Sequence, residues 1–82
     1  MTDGVVSPQQ VEIPANQSVS LTLVNAGNTP AEFESKRLKI EQIVAPGTSV
    51  EIALQPLPPG TYPFVEEFHE ALDTGRGTIV VK

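Results

Sequence analysis

Short stretches of alternating polar and apolar residues recur along the chain, as expected for β-strands with one face on a core and one in water. Residues 18–24 read SVSLTLV and residues 31–35 read AEFES, and both alternate with period two. Further strands are predicted at 11–13, 38–41, 49–54, 62–65 and 77–82. Only residues 66–72 are suited to a helical turn, which is too short to be an independent helix. The pattern therefore predicts six or seven short strands.

Proline and glycine mark the turns between these strands. The chain holds eight prolines and six glycines, with dense turn signals at 25–30 (NAGNTP), 46–47 (PG) and 56–60 (PLPPG). Short strands separated by such turns are typical of a small sandwich. A chain of 82 residues without a linker is expected to be a single domain, 1–82. The predicted fold is all-β, a small antiparallel Greek-key β-sandwich.

Charge and composition narrow the classes of function. Five basic against ten acidic residues give a net charge of −5, which argues against binding to nucleic acid or an anionic membrane and favours cations. No apolar run approaches the roughly 18–20 residues of a membrane span. The N-terminus shows no export signal, which taken literally predicts a soluble cytosolic protein, although a mature exported domain would look the same. The absence of cysteine excludes disulfides, cysteine–zinc sites and thiol chemistry.

The strongest candidate for chemistry is the segment 62–70, YPFVEEFHE. It places the only histidine, His69, among glutamates at the end of a predicted strand. Imidazole with carboxylates is a ligand set for a hard or borderline metal such as iron, manganese or zinc. The chain shows no nucleophile elbow or phosphate loop, and it offers no cleft for sugar hydrolysis by paired carboxylates. We therefore find no hydrolytic or transferase signature.

The order of short motifs along nearly the whole chain resembles the cupredoxin fold. The matching fragments are residues 13–19 (IPANQSV), 23–25 (LVN), 45–47 (APG), 59–62 (PGTY), 69 (H) and 77–81 (GTIVV). In cupredoxins the segment after Pro-Gly-x-Tyr carries Cys-x-x-His, and a methionine follows. Here Glu66 stands at the cysteine position, His69 keeps the histidine, and residues 72–75 contain no methionine. The upstream histidine ligand falls on Ala31 or Glu32, depending on the alignment.

The missing cysteine, methionine and upstream histidine limit the kinds of metal site that this chain is able to form. A blue-copper site needs a thiolate and two imidazoles, so it is excluded here on ligand grounds. The carboxylate pattern is similar to that of small cupredoxin-like proteins that accompany permease-type bacterial ferrous-iron uptake systems. This resemblance implies a periplasmic domain that binds iron, alone or with copper, without an organic cofactor, and assists Fe(II) oxidation. The implied partners are an iron permease and redox proteins of the uptake system.

The same resemblance implies a set of metal ligands. In order of preference they are Glu66, His69, Glu34, Glu41 and Glu32. Glu66 is preferred to Glu67 because it holds the position of the lost cysteine. Adjacent strand residues point to opposite faces, so both glutamates serve one site only if the strand has already ended.

Each of these residues also has an ordinary structural interpretation. Glu32 and Glu34 share one face, roughly 7 Å apart along a strand, as does any pair on the polar face of an edge strand. Glu41 alternates with Ile40 and fits plain surface equally well. A lone histidine near a strand end is often only a hydrogen-bonded loop residue. Glu70 and Asp73 are expected to tune the local charge.

Other residues of the region are expected to be structural. Tyr62 follows Pro-Gly, which predicts a corner that hydrogen-bonds the backbone. Phe33, Phe64 and Phe68 are expected in the core, although Phe68 is also placed to cover the histidine ring. The basic residues 36–39 (KRLK) are expected to form a solvated turn or strand face.

Three hypotheses for function remain open at this level. In the first, a glutamate-rich site with one imidazole handles iron, because carboxylates favour the harder Fe(III) over Fe(II). In the second, the domain is metal-free and serves as a structural or protein-interaction β-sandwich. In the third, the site holds copper or zinc.

Overall fold

The structure, a computed structural model, describes residues 1–69 and 72–82, and within them the predicted all-β architecture is confirmed. The strands are β1 (Gln10–Ile13), β2 (Val19–Val24), β3 (Ala31–Ser35), β4 (Ile40–Val44), β5 (Ser49–Leu54), β6 (Gly60–Glu66) and β7 (Arg76–Val81). Two single turns of 3-10 helix, Glu67–His69 and Asp73–Gly75, follow β6. No helix among the described residues is long and apolar enough to cross a membrane. The charge-tuning role predicted for Glu70 lies outside the described residues.

The strands form two sheets, one of five strands in the order β1-β7-β6-β3-β4 and one of two strands, β2 and β5. Every pairing is antiparallel except that of β1 with β7, where Val11 lies beside Ile79 in parallel register. The predicted antiparallel sandwich is therefore confirmed for the other strand pairs, and this parallel pair is the exception. Because β1 leads into β2 of the other sheet, no hairpin forces β1 and β7 to run in opposite directions.

The fourth strand begins later than the sequence pattern predicted. The prediction at 38–41 is wrong at its start, since residues 36–39 form a turn in which the Lys39 amide donates to the Lys36 carbonyl at 3.2 Å. Lys39 has a positive φ of 57°, which is incompatible with an extended strand. The Leu38 amide donates to the Ser35 hydroxyl at 3.3 Å and tightens the same turn.

The core lies between the two sheets and is built from the inward positions of the alternating strands. The rings of Phe33 and Phe64 lie 4.8 Å apart, and Ile79 and Val44 have no exposed surface. Aromatic contacts of this kind add to the free energy gained by burying their area. The prediction of core positions is confirmed for Phe33 and Phe64 and wrong for Phe68, which is 52% exposed because the 3-10 turn carries it away from β6.

Tyr62 forms the structural corner that the Pro-Gly context predicted. Its ring is buried, and its hydroxyl donates to the Pro58 carbonyl at 2.8 Å. The Arg37 guanidinium lies 4.6 Å from the centre of the Tyr62 ring and donates to the Thr61 carbonyl at 2.7 Å. The basic turn is therefore anchored to the start of β6 by its arginine.

The N-terminal segment, residues 1–6, crosses the end of the sandwich where β6 ends. The Met1 amino group donates to the Val24 carbonyl at 2.7 Å, and the Val6 amide donates to the Thr74 carbonyl at 2.8 Å. Between these points the Asp3 carboxylate accepts from the Asn28 amide and the Thr29 hydroxyl, both at 3.0 Å. These two donors, the Asn28 amide first, lower the pKa of Asp3 below its ordinary value.

This anchoring makes a pH-dependent prediction. Replacing Asp3→Asn removes the anionic acceptor, and we expect a lower thermal unfolding midpoint at about pH 7. Because the pKa of Asp3 is lowered on folding, its stabilising contribution is complete above the ordinary value of 3.8 and is lost as the pH falls through the folded-state pKa. The difference in midpoint between the two proteins should therefore shrink as the pH is lowered toward about 2.5. Circular dichroism melts at both pH values measure it.

The control for Asp3→Asn is Glu51→Gln, which makes the same charge change at an exposed site on β5. In Glu51→Gln, the change in thermal unfolding midpoint between the two pH values should be close to that of the unmodified protein. An equal loss of midpoint at both pH values for Asp3→Asn would show that the carboxylate charge is not what stabilises the segment.

Candidate metal centre

The end of β6 directs a glutamate into the protein rather than toward solvent. Tyr62, Phe64 and Glu66 occupy successive inward positions of this strand, and all three are buried. Glu66 pairs across the sheet with Phe33, and its side chain is only 1% exposed. A carboxyl group in such a position is tolerated only when donors from the protein replace its lost water.

Both oxygens of Glu66 find such donors. Oε1 accepts from the Glu32 amide at 2.8 Å and from the Phe68 amide at 3.2 Å. Oε2 contacts Nδ1 of His69, so the two residues that the sequence analysis ranked first lie together. The Glu66 carboxyl group thereby links β3, the 3-10 turn and the histidine.

The His69 ring is held from a second side by the N-terminal segment. Gly4 has a positive φ of 91°, and a β-carbon built there would lie 3.2 Å from both Cγ and Cδ2 of the ring. The side chain of His69 keeps 28% of its surface exposed. The ring is therefore fixed at Nδ1 and along one side, while part of it still faces water.

A second group of acids lies on the outer face of the same sheet. Register pairs Glu34 of β3 directly with Glu41 of β4, and the turn after β6 brings Glu67 beside them. One carboxylate oxygen from each of the three lies within 4.8 Å of the others. Glu34 is only 7% exposed, so the group is partly removed from water. Converging carboxylate oxygens are the ligand type that hard cations prefer.

The charge of this group is crowded. A hydrogen bond with Glu32 raises the pKa of Glu67, and a weaker hydrogen bond with Glu34, which lowers this pKa, does not cancel the effect. Partial loss of water and the negative charges of Glu32 and Glu41 also act to raise the pKa of Glu67. A bound cation would relieve this repulsion, because it supplies the missing positive charge among the oxygens.

The structure thus divides the predicted residues into two groups. Glu66 and His69 lie together on the inner side, and Glu34 and Glu41 lie together on the outer side. Glu32 is related to both groups, since its backbone amide donates to Glu66 and its carboxyl group raises the pKa of Glu67. A metal role for any of the five residues stays a prediction.

Glu67 is the residue that the sequence analysis set aside. The expectation that Glu66 and Glu67 point to opposite faces is confirmed. However, Glu34 and Glu41 lie on the outer face, so Glu67 and not Glu66 is the glutamate that joins them. A usable signal was present in the alternation. Tyr62 and Phe64 as inward residues make Glu66 inward and Glu67 outward, the same side as the glutamates flanking Phe33.

The cupredoxin-like domain family matches residues 1–81. The chain is 43% identical over 74 residues to the uncharacterized protein RP394 of Rickettsia prowazekii (strain Madrid E). That match covers 90% of this chain and 58% of the relative, so the chain spans less than two thirds of the relative's length.

Solved cupredoxins share the fold at low identity. A purple cupredoxin from Nitrosopumilus maritimus superposes with a TM-score of 0.69 at 23% identity, covering 98% of this chain and 84% of its own. Auracyanin B gives 0.77 at 17% identity, covering 99% and 82%. The auracyanin of Roseiflexus castenholzii gives 0.74 at 13% identity, covering 98% and 89%. At these identities the likeness concerns the fold alone. From the family match over almost its whole length, this chain belongs to the cupredoxin-like domain family, as a member without the cysteine that a type-1 copper site requires.

Proposed function

We propose that this domain binds iron in an oxygen-rich site and assists the oxidation of Fe(II) for a bacterial uptake system. The observation that carries the proposal is the convergence of Glu34, Glu41 and Glu67 on the outer face of the five-stranded sheet. The raised pKa of Glu67 supports it, because crowded carboxylates gain most from a shared cation. The resemblance of the motif order to cupredoxin-like partners of iron permeases supplies the choice of metal.

The chemistry follows from the donor atoms. A harder and more highly charged ion gains more from anionic oxygens, so three carboxylates stabilise Fe(III) relative to Fe(II). The potential of bound iron falls, which favours release of one electron. The chain has no cysteine, and therefore no disulfide that could accept that electron. The acceptor is a redox partner protein or a Cu(II) ion bound nearby, which is reduced to Cu(I).

The one histidine of the chain, His69, offers an imidazole nitrogen apart from the carboxylate group. His69 and Glu67 belong to the same 3-10 turn, and Glu32 donates its backbone amide to Glu66 while its carboxyl group raises the pKa of Glu67. An ion that prefers imidazole, such as Cu(II), is therefore expected at His69, while iron is expected at the carboxylates. This division places both metals of the proposal at one end of the sheet.

The remaining parts of the proposal rest on the family resemblance. They are a periplasmic location and an iron permease that accepts the oxidised ion. The excess of acidic residues is consistent with a cation carrier, since a net charge of −5 raises the local concentration of metal ions.

Titration with Fe(II) under anaerobic conditions tests the site. We expect Glu41→Gln and Glu67→Gln each to weaken iron binding by about tenfold or more, because each removes an anionic ligand. Glu51→Gln makes the same chemical change on the two-stranded sheet and should leave the affinity unchanged. Isothermal calorimetry with competition against a chelator of known affinity gives the constants. An equal loss of iron affinity in all three variants would show that only the net charge matters, which would contradict a specific site.

The crowding of the carboxylates also predicts how Glu67→Gln changes stability. In metal-free protein, Glu67→Gln is expected to raise the thermal midpoint, because it removes one charge from a crowded group. Saturating Fe(III) should then stabilise the unmodified protein more than the variant, since binding to the folded state adds stability. A carboxylate that served only structure would behave in the opposite way and lower the midpoint when replaced.

One observation favours the alternative of a metal-free interaction domain. At the position of the lost cysteine, the Glu66 carboxyl group is already satisfied by protein donors, as a purely structural group would be. Metal analysis after purification without chelator, followed by titration with Fe(II), Cu(II) and Zn(II), separates the two. Binding that is abolished by Glu41→Gln or His69→Ala supports a metal domain, and no binding of any of the three ions supports the alternative. Preferred binding of copper or zinc would identify the third hypothesis.

A further inference from the structure

The contact between Glu66 and His69 indicates which nitrogen of the histidine ring carries the proton, which the sequence does not reveal. We infer that Glu66 acts as a positioning residue, which holds neutral His69 with its proton on Nδ1 and leaves Nε2 as the ring nitrogen that binds a metal ion. The assignment differs from a direct ligand role for Glu66. It rests on the proposed function only for the statement that a metal binds at all.

The first step concerns the oxygens of Glu66. Two backbone amides, those of Glu32 and Phe68, donate to Oε1. Donors of this kind stabilise the anionic carboxylate, which accepts hydrogen bonds and donates none. Because the Glu66 carboxylate only accepts hydrogen bonds, the His69 Nδ1 atom that contacts Oε2 has to carry the proton and donate it.

The second step concerns the other ring nitrogen. A neutral imidazole carries one proton, and the hydrogen bond made by one nitrogen decides which nitrogen keeps its lone pair. With the proton on Nδ1, the lone pair is on Nε2. No protein group within residues 1–69 and 72–82 donates to Nε2, and the side chain is 28% exposed. Histidines that bind metals commonly donate their second nitrogen to a carboxylate in this way.

The third step explains why Glu66 is unsuited to bind the metal itself. Its side chain is 1% exposed, and turning an oxygen toward an ion would take it from the donors that now hold it. The Glu32 and Phe68 amides or the histidine would then be left without their partner, which is unfavourable in a buried position. Glu66 also lies on the opposite side of the sheet from Glu34 and Glu41.

Nitrogen-15 NMR of the histidine ring tests the assignment without any metal. In metal-free protein, long-range proton–nitrogen correlations recorded on the neutral ring should show a protonated Nδ1 and an unprotonated Nε2. A protonated Nε2, which is the form that free imidazole side chains favour, would overturn the inference whether or not the protein binds metals.

The variant Glu66→Gln gives a sharper form of the test. The two backbone amides require the oxygen of the new amide group, so its nitrogen faces His69 and donates to Nδ1. We expect the ring proton to move to Nε2 in this variant, and Glu51→Gln, the matched control at an exposed site on β5, should keep the original form. An unchanged ring in folded Glu66→Gln would contradict the positioning role. If this variant fails to fold, the spectrum of the unmodified protein decides alone.

Adding Zn(II) as a diamagnetic probe then separates the inference from the proposed function. A shift of the Nε2 resonance in the unmodified protein, with an affinity about 10–100-fold weaker in Glu66→Gln, supports both. A shift of Nδ1 instead would overturn the inference while leaving a metal site at His69. A protonated Nδ1 with no shift of either nitrogen would support the positioning by Glu66 and count against His69 as a ligand.

Discussion

The buried carboxyl group of Glu66 is the constraint on which the rest of this end of the molecule depends. A negative group with 1% of its surface exposed has to be surrounded by donors, and those donors come from two separate parts of the chain, β3 and the 3-10 turn after β6. The Glu32 amide fixes the start of β3, the Phe68 amide fixes the 3-10 turn, and His69 closes the group. One side chain thereby connects β3 to the turn after β6 and holds the histidine ring at Nδ1.

The inward direction of Glu66 also decides the chemistry on the other side of the sheet. Because neighbouring residues of an extended chain alternate, Glu67 leaves the strand on the outer face. There the register of β3 with β4 has already placed Glu34 opposite Glu41. The outer face therefore acquires three converging carboxylates, and the inner side acquires one imidazole held by one carboxylate. The two donor sets suit different ions, which is why one domain is able to serve both iron and copper in our proposal.

The framework and the site are separable in this protein. The inner faces of the strands keep the aromatic and aliphatic core that a cupredoxin-like sandwich needs, with Phe33 against Phe64 and a corner made by Tyr62. The polar positions at the end of that framework carry glutamates and one histidine, and the chain has no cysteine. The fold therefore constrains where a site lies, and the side chains at that place decide what it binds.

The sequence by itself determined the strands, the inward aromatic residues and the kinds of donor atom, because period-two alternation and composition are local properties of the chain. It did not determine that β1 runs parallel to β7, that β4 begins only at Ile40, or that Phe68 lies outside the core. Nor did it divide the glutamates correctly between the two groups. Alternation tells which residues of one strand share a face, but register and turns decide which residues of different strands meet. The pairing of Glu34 with Glu41, and the turn that carries Glu67 to them, exist only in the folded protein.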